Sequence, residues 1–254
     1  MSSGQPTTKA NLPECAFVIP VFNHAARLAE VIRAVLDFTA PVFVVDDGST
    51  DDSCAVAKSF SGVTVLQHER NQGKGAALLT GSGAAARVAR WAVTIDADGQ
   101  HQAGDTPVLL AGRPAGARGI VVGRREGMGA KNVPWTSRFG RGFSNFWVRM
   151  SRGPKMTDSQ SGFRVYPLPE VLALKTRSQR FQYEVEVLAL AHWHRMPVVE
   201  VPVRVSYQSK EERVSHFRPF VDFWRNAFVF TRLIVMGLVF PRSLRARLST
   251  RVTQ

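Results

Sequence analysis

"WAVTIDADGQ", residues 91–100, is an apolar run that ends abruptly in two carboxylates, Asp96 and Asp98, with one small residue between them. Acids at the end of a buried strand are either an ordinary turn or a metal site, and the flanking sequence bears on which. Comparable runs rich in Val, Ile and Phe recur at 16–22, 41–47, 63–67 and 119–123. They are continuously apolar rather than alternating, which suits strands covered on both faces in a parallel sheet. Helix-like segments lie between them at 25–38, where Leu28, Val31, Ile32 and Val35 share a face, at 51–60 and at 75–90. Alternating β and α elements predict an α/β domain built on a mostly parallel, doubly wound open sheet.

In such sheets ligands collect where the strands end. Three polar clusters fall at those ends: "PVFNH" (20–24), "DDGSTD" (46–51) and "DADGQ" (96–100). Each alone is also an ordinary turn, and Asp51 could simply cap a helix. Together they predict one polar crevice.

Three motif readings fail on context. "GSGAAA" (81–86) has dinucleotide-type glycine spacing but sits inside a helical stretch. "DADG" starts like a calcium loop, yet the twelfth position counted from Asp96 is Pro107 and not a carboxylate. "NQGKGAA" (71–77) has a glycine-flanked lysine without the spacing or hydroxyl of a P-loop.

The 254-residue chain is long enough for one large domain and an appendage. Its two cysteines, Cys15 and Cys54, argue against a disulfide framework and for a reducing compartment. "MSSGQPTTKANLPE" lacks the pattern of a secretory signal, and residues 1–13 read as a disordered lead-in. The formal charge of +13 favours anionic partners: nucleic acid, an anionic membrane face or a phosphorylated substrate. The basic residues crowd into 113–155 and 213–251. Nucleic acid is the weakest of these, because aromatic residues are not interleaved with the basic clusters and the acidic crevice would repel a phosphate backbone.

The ordered set "VIPVFNHAARL", "VVDDGSTDDS", "NQGKGAALLTG", "TIDADGQH", "DSQSGFRVYP" and "YEVEVLALA" resembles the family 2 glycosyltransferases, in particular the dolichyl- and polyprenyl-phosphate mannosyl- and glucosyltransferases. The resemblance spans roughly residues 14–208 and implies a GT-A fold, a GDP- or UDP-hexose donor, Mg2+ or Mn2+, inversion at the anomeric carbon and a lipid-linked phosphate acceptor. It implies metal at Asp96, Asp98 and Gln100, and nucleotide-sugar contacts at Pro20, Phe22, Asn23, Asp47, Lys74 and Asp96. It further implies acceptor-phosphate contacts at Arg125, Arg138 and Ser161, a phosphate contact at Arg164, and Asp158 facing the sugar or acceptor. One departure stands out: His24 occupies the usual acidic position after Asn23. An acceptor phosphate, mostly dianionic at neutral pH, needs no base, whereas a lipid or glycan hydroxyl would require one and makes Asp158 the candidate.

After the GT-A region (14–210), residues 211–254 read as a basic amphipathic helical tail. Arg218, Arg225 and Arg232 are spaced by seven and share a helical face, with aromatic residues around the rest. The longest uncharged run, Leu233 to Pro241, falls short of the roughly 20 residues that span a bilayer. An interfacial helix is expected, with the enzyme peripheral at the cytoplasmic face of the membrane; packing on the domain or on a second copy in a homo-oligomer is the competing reading.

Overall fold

The structure is a computed structural model and describes residues 9–126, 135–206 and 219–240, the side chains of 135–139 and 219–228 excepted. The expected alternation is present. It runs β2 (Cys15–Val21), α1 (Ala25–Leu36), β4 (Val42–Asp46), α2 (Ser53–Lys58), β5 (Val63–Gln67), α3 (Lys74–Ala85) and β6 (Trp91–Thr94). Then follow α4 (Thr106–Ala111), β7 (Ile120–Arg125), α5 (Trp135–Met150), β8 (Arg164–Pro167), α6 (Glu170–Ala173), α7 (Tyr183–Trp193), β9 (Val198–Val203) and α8 (Pro219–Val239). Within the expected lead-in 1–13, β1 (Ala10–Asn11) pairs in parallel with β3 (Phe38–Thr39).

The main sheet has the order β5-β4-β2-β6-β8-β7-β9. From β2 the chain moves outward through β4 to β5 and then returns to place β6 on the other side of β2. The carboxyl ends of β2 and β6 therefore flank the point where the winding reverses, which is where an α/β sheet opens a crevice. β8 runs antiparallel to both β6 and β7, while β9 returns parallel to β7. This antiparallel insertion makes the sheet mixed, and because Arg164 pairs with Thr94 at the end of β6, it delivers the preceding loop, 158–163, to the same crevice.

Both faces of the sheet are covered, as the apolar runs require. Along β2, Ala16 and Val18 join a core with α3 and α7, while Phe17 and Ile19 join a second core with α1. Alternate residues point to opposite faces, and here both faces are dry. Helix α7 is buried all round, including Glu184 and Glu186.

The described half of α8 packs on the domain. Phe230 stacks on Trp147 with centroids 5.2 Å apart, Leu233 is fully buried, and Arg232 pairs with Glu186 of α7. The competing reading, a helix docked on protein, accounts for this half; Arg218 and the side chain of Arg225 lie outside the described residues. Phe146 and Met150 on α5 and Val235, Leu238 and Val239 on α8 stay exposed. No helix among the described residues is long and apolar enough to cross a membrane.

Candidate active site

The first wall of the crevice is built from the turns after β2 and β4. Asn23 adopts a left-handed backbone conformation (φ 53°), which asparagine tolerates better than most residues. Its backbone N–H donates to Ser49 Oγ (3.0 Å), and its Oδ1 accepts from the Thr50 N–H (2.8 Å). Asp51 accepts from the N–H groups of both Ala25 and Ser53 (3.1 and 3.0 Å), so it caps α1 from outside that helix. His24 thus stands at a helix start whose carboxylate cap comes from another loop. Pro20 is buried within β2, and the carbonyl of Phe22 is within 3.0 Å of His24 Nδ1.

Asp47, expected among the nucleotide-sugar contacts, is 2% exposed. Oδ1 accepts from the Gln72 N–H (2.9 Å) and meets His68 Nδ1 (2.7 Å), and Oδ2 accepts from the Gly73 N–H (2.7 Å). These bonds fix the loop that leads into α3. Gly73 itself is required there: its φ is 107°, and a Cβ would overlap Arg180 and the Gln179 carbonyl.

The second wall carries the acids. β6 stops at Thr94 and residues 97–99 turn, with Gly99 at φ 71°, so Asp96 stands just before the turn and Asp98 within it. Asp96 Oδ1 lies 2.7 Å from Lys74 Nζ, and the same ammonium donates to Glu184 Oε1 at 2.7 Å. Burial works against the charge on Asp96, but Lys74 and His101 outweigh it and hold the carboxyl below its ordinary value. Asp98 shifts the other way: burial and the charge of Asp96 push its carboxyl up. Two crowded acids with opposed shifts form a site that gains from a cation.

Whether these residues fit Mg2+ or Mn2+ follows from their donors. Among the described residues no three His, Cys, Asp or Glu side chains form a metal cluster. Two carboxylates and the Gln100 amide are nonetheless the sparse, hard oxygen set suited to Mg2+, which usually takes one or two carboxylates and completes its shell with substrate phosphates and water. Gln100 is held from the far edge of the sheet, its carbonyl accepting from the Ser206 N–H (2.8 Å). His101 is buried against Phe163, and burial pushes its pKa down to about 4.

The 158–164 segment closes the site from above. Gly162 passes so near Asp96 that a Cβ would collide with both carboxylate oxygens. Ser161 Oγ is buried with no hydrogen-bond partner among the described residues. Arg164, expected at a phosphate, is fully buried and donates to the carbonyls of Ser161 (2.6 Å), Ser159 (2.8 Å) and Glu184 (3.0 Å) and to the Tyr166 hydroxyl (3.1 Å). It shapes the loop from beneath. Asp158, expected to face the sugar or acceptor, is fully buried in a bidentate pair with Arg125, both contacts at 2.8 Å. Burial opposes ionisation, but Arg125 holds the Asp158 carboxyl below its ordinary value. Such a group is a poor proton acceptor at neutral pH. Arg138 lies on α5 with its side chain outside the described residues.

Sequence reading gave no role to Glu184 or His68. The signal for Glu184 was present, since an acid within the otherwise largely apolar helix 183–193 needs a buried partner.

Comparison with known proteins agrees with this architecture. The chain is 32% identical over 206 residues to an uncharacterised protein of Methanocaldococcus jannaschii, covering 78% of this chain and 83% of the other. It is 29% identical to the UDP-N-acetylglucosamine–dolichyl-phosphate N-acetylglucosaminyltransferase of Methanococcus voltae, covering 75% and 84%. Among solved structures, glucosyl-3-phosphoglycerate synthase from Mycobacterium tuberculosis, in complex with Mn2+, UDP and phosphoglyceric acid, superposes with a TM-score of 0.64 at 20% identity, over 90% of this chain and 80% of that one. That likeness shows a GT-A-like fold. Residues 16–168, more than half of the chain, match the family described as glycosyl transferase family 2, and the chain belongs to that family.

Proposed function

We propose that this chain transfers a sugar from a nucleotide sugar, with a divalent cation, to an acceptor oxygen supplied by a phosphate or by a hydroxyl. The observation that carries this reading is the acid pair after β6, Asp96 and Asp98, with Asp96 lying under Gly162 of the 158–163 loop, in a member of family 2. The bond from the anomeric carbon to the donor's diphosphate breaks, an acceptor oxygen bonds to that carbon, and the nucleoside diphosphate departs. A cation held by Asp96, Asp98 and Gln100 would supply charge stabilisation for the departing diphosphate. The chain's own contribution is placement: Asp47 and Gly73 fix the start of α3, Lys74 brings an ammonium to Asp96, and Arg164 shapes the loop over it. UDP is favoured as the nucleotide by the donor named for the Methanococcus relative and by the nucleotide in the M. tuberculosis structures.

Two acceptor classes compete. The phosphate of a polyprenyl lipid can attack without a base, which suits an Asp158 committed to Arg125. It also suits the exposed apolar residues of α5 and α8, beside the exposed Arg149 and Arg152, as a peripheral contact with an anionic membrane at its cytoplasmic face. A hydroxyl of a small phosphorylated acid or of another lipid or glycan, with the same donor chemistry, has at least equal support in the fold shared with an enzyme solved with phosphoglyceric acid.

Radiolabelled UDP- and GDP-sugars offered with polyprenyl phosphate and with phosphoglyceric acid separate these classes. Organic-extractable label supports the lipid acceptor, and label in a water-soluble phosphorylated product supports the hydroxyl. Donor hydrolysis without transfer to either removes both acceptors and leaves the donor chemistry standing.

A further inference from the structure

The ammonium of Lys74 touches a carboxylate assigned to the cation and a second carboxylate, Glu184, that the reaction has not yet used. Its position is strongly determined. Lys74 opens α3 directly after Gly73, whose N–H is bound by Asp47, and the Ala76 N–H donates to the Gln179 carbonyl (2.8 Å). Gly75 leaves no room for a Cβ against Tyr183, so the starts of α3 and α7 are locked together. Glu184 is 5% exposed and fixed in α7. The ammonium is therefore held between two carboxylates, each 2.7 Å away, rather than swinging from a surface loop.

We propose that Lys74 is the built-in occupant of the cation site: it neutralises Asp96 until a divalent cation displaces it, and Glu184 then retains it for the donor's diphosphate. The inference rests on the cation and nucleotide reading above. Its physical basis is that an ammonium and a divalent cation on the same carboxylate repel at close range. The cation arriving alone must displace Lys74 from Asp96. When a diphosphate arrives too, it offers the displaced ammonium a new anionic partner. Metal and nucleoside diphosphate thus bind cooperatively, and the coupling is reciprocal by linkage.

Mn2+ binding to the full-length chain, followed by electron paramagnetic resonance with and without UDP, tests this without turnover. Wild type should bind Mn2+ weakly alone and more tightly with UDP. Lys74→Met should bind Mn2+ alone about tenfold more tightly than wild type, and UDP should then add correspondingly less. Glu184→Gln leaves Lys74 on Asp96 alone and should weaken binding of Mn2+ alone by a similar factor. Equal Mn2+ affinity in wild type and Lys74→Met, or an unchanged UDP effect, overturns the proposal while leaving the metal site intact. If Lys74→Met does not fold, Glu184→Gln decides, and unchanged or tighter binding there overturns the proposal. Absence of Mn2+ binding in wild type and both variants overturns the cation reading with it.

Discussion

Gly162 has the narrowest tolerance in the site. Its missing side chain is what lets the 158–163 loop cover Asp96, so Gly162→Ala must push either the loop or the carboxylate aside. Sugar transfer should fall by at least about a hundredfold, as expected when a positioning error of about 1 Å reaches a reacting centre, and Mn2+ affinity should fall with it. Transfer and metal affinity at wild-type level would show that the loop does not bear on Asp96. His101 gives a pH signature. Its folded pKa of about 4 lies below the ordinary histidine value of about 6.5, so the unfolded chain takes up a proton first. The stability it contributes is complete above pH 6.5 and is lost as pH falls toward 4, by about 3 kcal/mol. Urea denaturation at pH 7 and pH 5 should show about 2 kcal/mol of this loss in wild type and a smaller one in His101→Asn; identical pH dependence in the two proteins would contradict the assignment. Asp158 and Asp105, held low by Arg125 and Arg204, carry the next loss, below about pH 4.

Helix α8 separates two physical accounts of the C-terminal region. In the structure Phe230 is 3% exposed and stacks on Trp147, so Phe230→Ala should cost about 3–5 kcal/mol in chemical denaturation and change the fluorescence of Trp147. A cost below about 0.5 kcal/mol would mean that this face of the helix is not committed to the domain. The two accounts are compatible, since Val235, Leu238 and Val239 remain outside. From sequence, aromatic residues around a basic helix fit lipid and protein equally well, because both environments accept the same side chains. The strands at 15–21, 42–46, 63–67, 91–94 and 120–125 were legible because each is built around a short run rich in Val, Ile, Phe or Trp. β8 and β9 were not recognised. Arg164 opens β8, and a charged residue conceals a strand unless its partners, here two carbonyls of the preceding loop, the Tyr166 phenol and the Glu184 carbonyl of α7, are already known.

At the scale of the molecule the crevice follows from topology. The reversal between β2 and β6 brings together the turns at 20–24 and 96–100, and the antiparallel β8 adds the 158–163 loop. Convergence of the polar clusters was readable from their positions after strands. The inward commitments of Asp47 to Gly73, Asp158 to Arg125 and Arg164 to the Glu184 carbonyl were not, because partners 20 to 33 residues distant leave no local pattern. Lys74 was legible only as a lysine between glycines, and its two carboxylate partners come from 22 and 110 residues further along the chain. The central claim is that the acids after β6 hold a cation for transfer from a nucleotide sugar. Its most direct test is UDP-sugar turnover by wild type and Asp98→Ala with Mn2+ or with EDTA. Turnover that requires Mn2+ and falls at least about a thousandfold in the variant is the predicted result. Turnover indifferent to EDTA and retained in Asp98→Ala would contradict it.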